Sequence, residues 1–187
     1  PDLFADTPVY GLPWSINTEM LAVRTDLFAE AGLVDANGNP ERLETWEEFL
    51  DAAQKLTTDG RYGFGTLAHR DADMVVSSWL PFLWGFGGRL WDYDNWTSEG
   101  ILNGPEAMEG TQFWVDLLQK YGVMAPDSAN WDNGGVLNAI NQDQIAMGAT
   151  WNLFFPLTQD PSTSKVVGKI QALPFPGKMG PDGKIIR

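Results

Sequence analysis

The side chains best suited to chemistry in this chain are its nine tryptophans, several of which stand beside polar residues or glycine: Trp14, Trp79, Trp84, Trp91, Trp96, Trp114, Trp131 and Trp151, with Trp46 inside a helical pattern. An indole face packs on the apolar face of a pyranose ring while neighbouring Asn, Asp, Arg or His side chains bond its hydroxyls, so such a set suits a sugar cleft. The competing use of so much indole is core filling. Trp46, Trp79 and Trp114 take that reading, because they fall on the apolar faces of helical patterns. Trp84 points about half a turn away from the Val75 and Trp79 face and shares its side with Asp73 and Ser77, so cleft and second packing surface are equal readings for it. Trp131 reads as a structural or surface residue.

Other chemistries lack their residues. The chain has no cysteine and a single histidine, His69, which removes disulfides, thiolate metal sites, a cysteine nucleophile and any multi-histidine metal centre. There is no Walker A loop, no GxGxxG after a strand, no GxSxG elbow and no HExxH. The stretch Gly85-Phe86-Gly87-Gly88 has neither the lysine nor the following helix of a phosphate cradle and reads as a tight turn. Among 25 carboxylates some pair falls at glycosidase separation by chance, so paired acids do not specify a hydrolase. The Asp92, Asp94, Asn95 loop fails the calcium-loop count, with Thr97 at the sixth position and Asn103 at the twelfth, and Asp35, Asn37 and Asn39 fail it too. No cofactor and no metal are expected.

Twelve Lys and Arg against 25 Asp and Glu give a net charge of −13, which excludes nucleic-acid binding by phosphate neutralisation and argues against docking on anionic lipid. It also makes an anionic ligand less expected, since phosphates and carboxylates usually find Arg or a helix N-terminus. The longest uncharged stretches, Met74 to Gly88 and Gln144 to Gln159, are shorter than the ~18 apolar residues of a membrane span and are broken by Pro, Gly or polar residues. The chain opens on Pro1 without an initiating Met, a basic n-region or an apolar h-region, so a targeting signal is expected to be removed or to lie outside this sequence.

Strand-like and helix-like segments alternate, which predicts an α/β fold. Pro8 to Leu12 and the apolar run within Glu19 to Arg24 read as strands. Thr25 is the expected cap of a short helix ending at Ala31 and Gly32. Thr45 and Glu48 make a capping box ahead of an amphipathic helix carrying Trp46, Phe49, Leu50, Ala53 and Leu56. Tyr62 to Gly65 reads as a strand. Val75, Val76, Trp79, Phe82, Leu83 and Phe86 share a helical face, with Pro81 expected to kink that helix or loosen a turn of it because it cannot donate to the Ser77 carbonyl. A further helix is predicted from Asn103-Gly104-Pro105 to Tyr121, with Met108, Thr111, Trp114, Val115, Leu118 and Tyr121 inward and Gly122 as its stop. A short helix over Val136 to Asn141 and strands over Ile145 to Thr150 and Val166 to Leu173 complete the reading.

Tyr10-Gly-Leu-Pro-Trp-Ser-Ile-Asn-Thr-Glu-Met-Leu-Ala-Val-Arg-Thr-Asp-Leu-Phe28, Thr45-Trp-Glu-Glu-Phe49, Phe82-Leu-Trp-Gly-Phe-Gly-Gly-Arg-Leu-Trp-Asp92, Leu102-Asn-Gly-Pro-Glu-Ala107, Gln144-Ile-Ala-Met-Gly-Ala-Thr-Trp151 and Ala172-Leu-Pro-Phe-Pro-Gly177 follow one another in an order and spacing that is specific as a set. In this the chain resembles the sugar-type extracellular solute-binding proteins of bacterial ABC importers (family 1, maltose-binding-protein-like). Members of that family are two-domain chains about twice this length or more. The resemblance implies that residues 1–187 form one α/β lobe of a two-lobe periplasmic-binding-protein-like fold, a mixed sheet flanked by helices, with hinge crossings near 8–15 and 172–187.

The resemblance further implies capture of a carbohydrate or polyol in an interlobe cleft and delivery to an ABC permease, with no chemistry on the ligand, in a periplasmic or extracellular setting that includes a cell-surface lipoprotein. On this pattern Trp151 and Asn152 are the expected stacking platform and hydroxyl partner. His69 and Arg70 sit in a loop that contacts ligand in similar proteins, with a solvated loop as the equal reading. Trp14 and Ser15 lie at the crossing, where hinge packing competes for Trp14, and Gly87 and Gly88 would let backbone approach the sugar. Two other classes stay open: a sensor or interaction domain on the same fold, and, less favoured, a carbohydrate-active hydrolase.

Overall fold

The computed structural model describes residues 10–12, 14–70 and 74–186. Its centre is β1 (Glu19–Arg24), whose Met20-Leu21-Ala22-Val23 run has no polar side because neighbours cover both faces. β3 (Ile145–Trp151) pairs antiparallel with it, Leu21 opposite Ala149 and Glu19 opposite Trp151. β4 (Ile170–Leu173) pairs antiparallel on its other side, Leu21 opposite Leu173. β2 (Tyr62–Gly65) joins β3 in parallel, giving the mixed order β2-β3-β1-β4.

One sheet face carries Leu21, Val23, Phe64, Met147, Ala149 and Leu173 into a core shared with α2 (Trp46–Leu56), α3 (Met74–Gly85) and α4 (Pro105–Gln119). The opposite side packs Ala22 and Ile145 on Val136, Ala139 and Ile140 of α5 (Asn133–Asn141). The expected α/β architecture, a mixed sheet flanked by helices, is therefore what the chain adopts.

The α2 capping box forms as predicted: Glu48 N–H donates to Thr45 Oγ1 at 3.2 Å and the Glu48 carboxylate accepts from Thr45 N–H at 3.2 Å. Trp46 is the hub of the larger core, stacked on Phe82 at 4.5 Å and on Phe86 at 6.0 Å. α3 runs through Pro81 as one helix.

Several boundaries differ from the sequence reading. Thr25 is the first residue of α1 (Thr25–Glu30) and not its cap: Arg24 occupies the N-cap without a side-chain bond there, because its guanidinium is committed to Asp26 and Asp143. Val76 and Met108 are exposed. In α4 the buried residues are Ala107, Gly110 and Leu117, because close approach to α3 selects small side chains: a Cβ on Gly110 would lie 2.6 Å from the Phe82 carbonyl oxygen. α5 starts three residues earlier than expected, its N-terminus bonded by Asp132 Oδ1 accepting from Gly135 N–H at 2.9 Å. β4 begins at Ile170, after a turn with Gly168 at φ +74°. Pro8 and Val9 lie outside the described residues, and Tyr10 to Leu12 form no strand. A closing hairpin of β5 (Lys178–Met179) and β6 (Ile185–Ile186) was not legible in the sequence, its strands being only two residues long.

Candidate functional site

At the end of the sheet where β1 begins and β3 ends, the α3-facing side of the sheet is not filled by core side chains, leaving an open cleft of about 500 Å³. The β1–β3 register sets Trp151 beside Glu19. Continuing the Leu21–Leu173 register by two residues brings Phe175 to the other side of Glu19, and Pro174, Phe175 and Pro176 line that edge. The opposite wall is a single stripe of α3, Ser77, Leu80, Pro81 and Trp84, whose spacing puts all four on one helical face. Pro81 has no N–H to offer the Ser77 carbonyl, and both residues border the cleft.

Trp84 is half exposed and Trp151 partly exposed, so each presents apolar ring surface without a covering side chain. Two indoles from different elements facing one cavity, with Asn17, Thr18, Ser77 and Glu19 around them, can sandwich or flank a sugar ring and bond its hydroxyls. Glu19 is the only titratable group among the described lining residues. Its Oε1 is buried without a hydrogen-bond partner, and burial pushes the carboxyl up to about 8.

Asn152 acts one step back from the cavity. Its Oδ1 accepts from Thr18 N–H at 2.9 Å, its Nδ2 donates to the Ile16 carbonyl at 3.3 Å, and its own N–H donates to the Thr18 carbonyl at 3.0 Å. It thereby holds the segment that delivers Asn17 and Thr18 to the cleft. Trp14 and Ser15, just upstream, are exposed and do not line it; Trp14 is 99% accessible.

His69 and Arg70 follow β2 in a loop tied to Trp131, whose carbonyl accepts from Ala68 N–H at 3.2 Å and His69 N–H at 3.1 Å. They are not among the residues lining the cleft, and Trp131 packs against the smaller core. Gly87 and Gly88 border a separate depression of about 350 Å³ with Arg89 and Glu106. Gly88 serves helix packing there, since a Cβ would sit 2.9 Å from Ala107 Cα. Asp92 uses its carboxylate within its own turn, accepting from Asp94 N–H at 2.8 Å and from Asn95 Nδ2 at 3.1 Å. Asn17, Thr18 and Glu19 escaped the sequence reading; the available signal was a carboxylate opening an otherwise apolar buried strand.

The family described as bacterial extracellular solute-binding protein matches residues 1–185. The chain belongs to that family. Among solved structures, this chain is similar to maltose-bound MalE3 of T. maritima, with a TM-score of 0.78 and 26% identity over 93% of this chain and 41% of that one. It is also similar to an ABC transporter solute-binding protein from Agrobacterium radiobacter in complex with ribitol, at TM-score 0.76 and 29% identity over 90% of this chain and 40% of that one. A third, from Thermotoga lettingae with bound α-D-tagatose, gives 0.74 and 29% over 90% and 42%. The chain thus spans about two fifths of the length of these structures. Among the described residues no helix is long and apolar enough to cross a membrane.

Proposed function

We propose that the chain forms one lobe of a two-lobe binding protein, residues 1–187 with crossings near 8–15 and 172–187, which captures a neutral sugar or polyol against Trp84 and Trp151. The captured ligand passes unchanged to the permease subunits of an ABC importer outside the cytoplasm, from a periplasmic, extracellular or lipid-anchored position. The observation that carries this reading is the convergence of two partly exposed indoles, from α3 and β3, on one cavity with hydroxyl-bonding groups around it. Similar proteins holding maltose, ribitol and tagatose support it. Asn152 enters as the residue that positions Asn17 and Thr18.

The test is a thermal-shift and tryptophan-fluorescence screen against maltose, ribitol, D-tagatose and D-mannitol. Ligand at about 100 times its dissociation constant adds about 2.7 kcal/mol, a visible shift in melting temperature. Trp84→Ala and Trp151→Ala each lower affinity by about tenfold or more while circular dichroism stays unchanged. Wild-type affinity in both variants removes the site; silence across the panel of both this chain and the two-lobe protein that contains it removes the sugar and polyol reading.

A further inference from the structure

The cleft wall holds one ionisable side chain that no hydrogen bond explains. Glu19 stands between Trp151 and the position of Phe175, under Ser77 and Trp84 of α3. Among the described residues none of these neighbours is charged, and no Lys or Arg lines the cleft or the adjoining depression of about 380 Å³ that Glu19 shares with Thr18 and Phe175. A carboxyl placed among rings and prolines with an unpartnered oxygen is destabilising for the empty protein, by desolvation without compensation. Such a group persists where something else completes its bonds. Its terminal torsion is broad and two-fold, so rotation can turn either oxygen toward the cavity.

We infer that Glu19 is the anchoring group of this cleft, bonding directly to hydroxyls of a neutral ligand. The inference rests on the sugar and polyol reading above. The carboxyl does this in its protonated form, which donates to one hydroxyl oxygen and accepts from another. With no cation nearby, covering the group with ligand desolvates it further and favours that form. An anionic ligand gains nothing here, because the cleft offers it no positive partner and becomes negative itself once Glu19 ionises.

Titrations of maltose, ribitol and D-mannitol into the wild-type chain, Glu19→Gln and Glu19→Leu, at about pH 6 and about pH 9.5 on either side of the Glu19 transition, test this. The wild type loses about tenfold in affinity at the higher pH, Glu19→Gln keeps the low-pH affinity at both, and Glu19→Leu is weaker by about tenfold at both. Glu19→Leu binding like wild type overturns the anchoring role, and so does a pH dependence that persists in Glu19→Gln. Affinity that rises with pH only in the wild type overturns the protonated form. Failure of both the wild-type chain and the two-lobe protein that contains it to bind any probe overturns the underlying sugar and polyol reading and the inference with it, whereas binding by either that is indifferent to residue 19 overturns the inference alone. The near-isosteric Gln separates these outcomes from misfolding.

Discussion

Glu19 couples the cleft to the stability of the fold. Its folded-state pKa of about 8 lies above the ordinary value of 4.5, so between those limits the folded chain holds a proton that the unfolded chain has released. Stability from this group is fully present below about 4.5 and declines as pH rises through about 8. Glu19→Gln, which cannot ionise, is expected to melt above the wild type on the alkaline side, by about 2–4 °C for each kcal/mol relieved. Melting curves of both proteins across that range decide it, and an identical pH dependence would show that the carboxyl is solvated. Trp84 and Trp151 behave differently: each leaves ring surface exposed, so their loss is expected in binding and not in folding.

Element by element, the local signals act where the chain meets few tertiary demands. The Thr45 capping box satisfies N–H groups that no helical carbonyl can reach, and the structure realises it. Thr45→Ala is expected to cost about 1 kcal/mol, a fall in melting temperature of about 2–4 °C. Trp46→Ala, one residue on, removes the indole stacked on Phe82 and Phe86 and is expected to cost about 3–5 kcal/mol, read by urea unfolding. The large difference between neighbours separates a terminus from the hub of a core. α4 shows the limit of such reading. Its periodicity predicts an arc from Met108 to Tyr121, of which Trp114, Leu118 and Tyr121 pack on the larger core and Thr111 accepts from Trp79 Nε1 of α3 at 2.9 Å. Met108, however, is exposed, and the closest approach to α3 falls at Ala107 and Gly110, since two helices approach more closely where Cβ atoms are small or absent.

Across the whole molecule, charge sets the acid limit. Arg24, buried at the end of β1, joins Asp26 of α1 and Asp143 before β3, while Arg61 reaches Asp143 at 3.3 Å and Lys169 reaches Asp26 at 3.1 Å, tying four segments together. Burial opposes ionisation of Asp26, but its bonds to Arg24 and Lys169 outweigh that and hold it at about 2. With the folded pKa below the ordinary 3.8, this stability is present above that value and lost as pH falls through about 2. Asp26→Asn is expected to flatten the acid limb of a stability–pH curve measured by chemical denaturation. Together with Glu19 it places the stability maximum on the acid side of neutrality. A net charge of −13 adds self-repulsion, so raising ionic strength is expected to raise the melting temperature near neutral pH.

The sequence alone determined the α/β class, the apolar central strand and the α2 cap, because periodicity, capping and residue type act over a few positions along the chain. It also carried the family, through motifs whose order and spacing hold over nearly the whole length. What only the tertiary structure decided was which of the nine tryptophans share a cavity, that Gly88 packs α3 on α4, that Asn152 braces the segment from Ile16 to Thr18, and that one oxygen of Glu19 is buried without a partner. Those properties depend on strand register and on the approach of α3 to the sheet. The register joins residues more than a hundred positions apart, such as Glu19 and Trp151, and at the cleft α3 meets those two across separations of more than fifty, so neither adjacency leaves a local pattern.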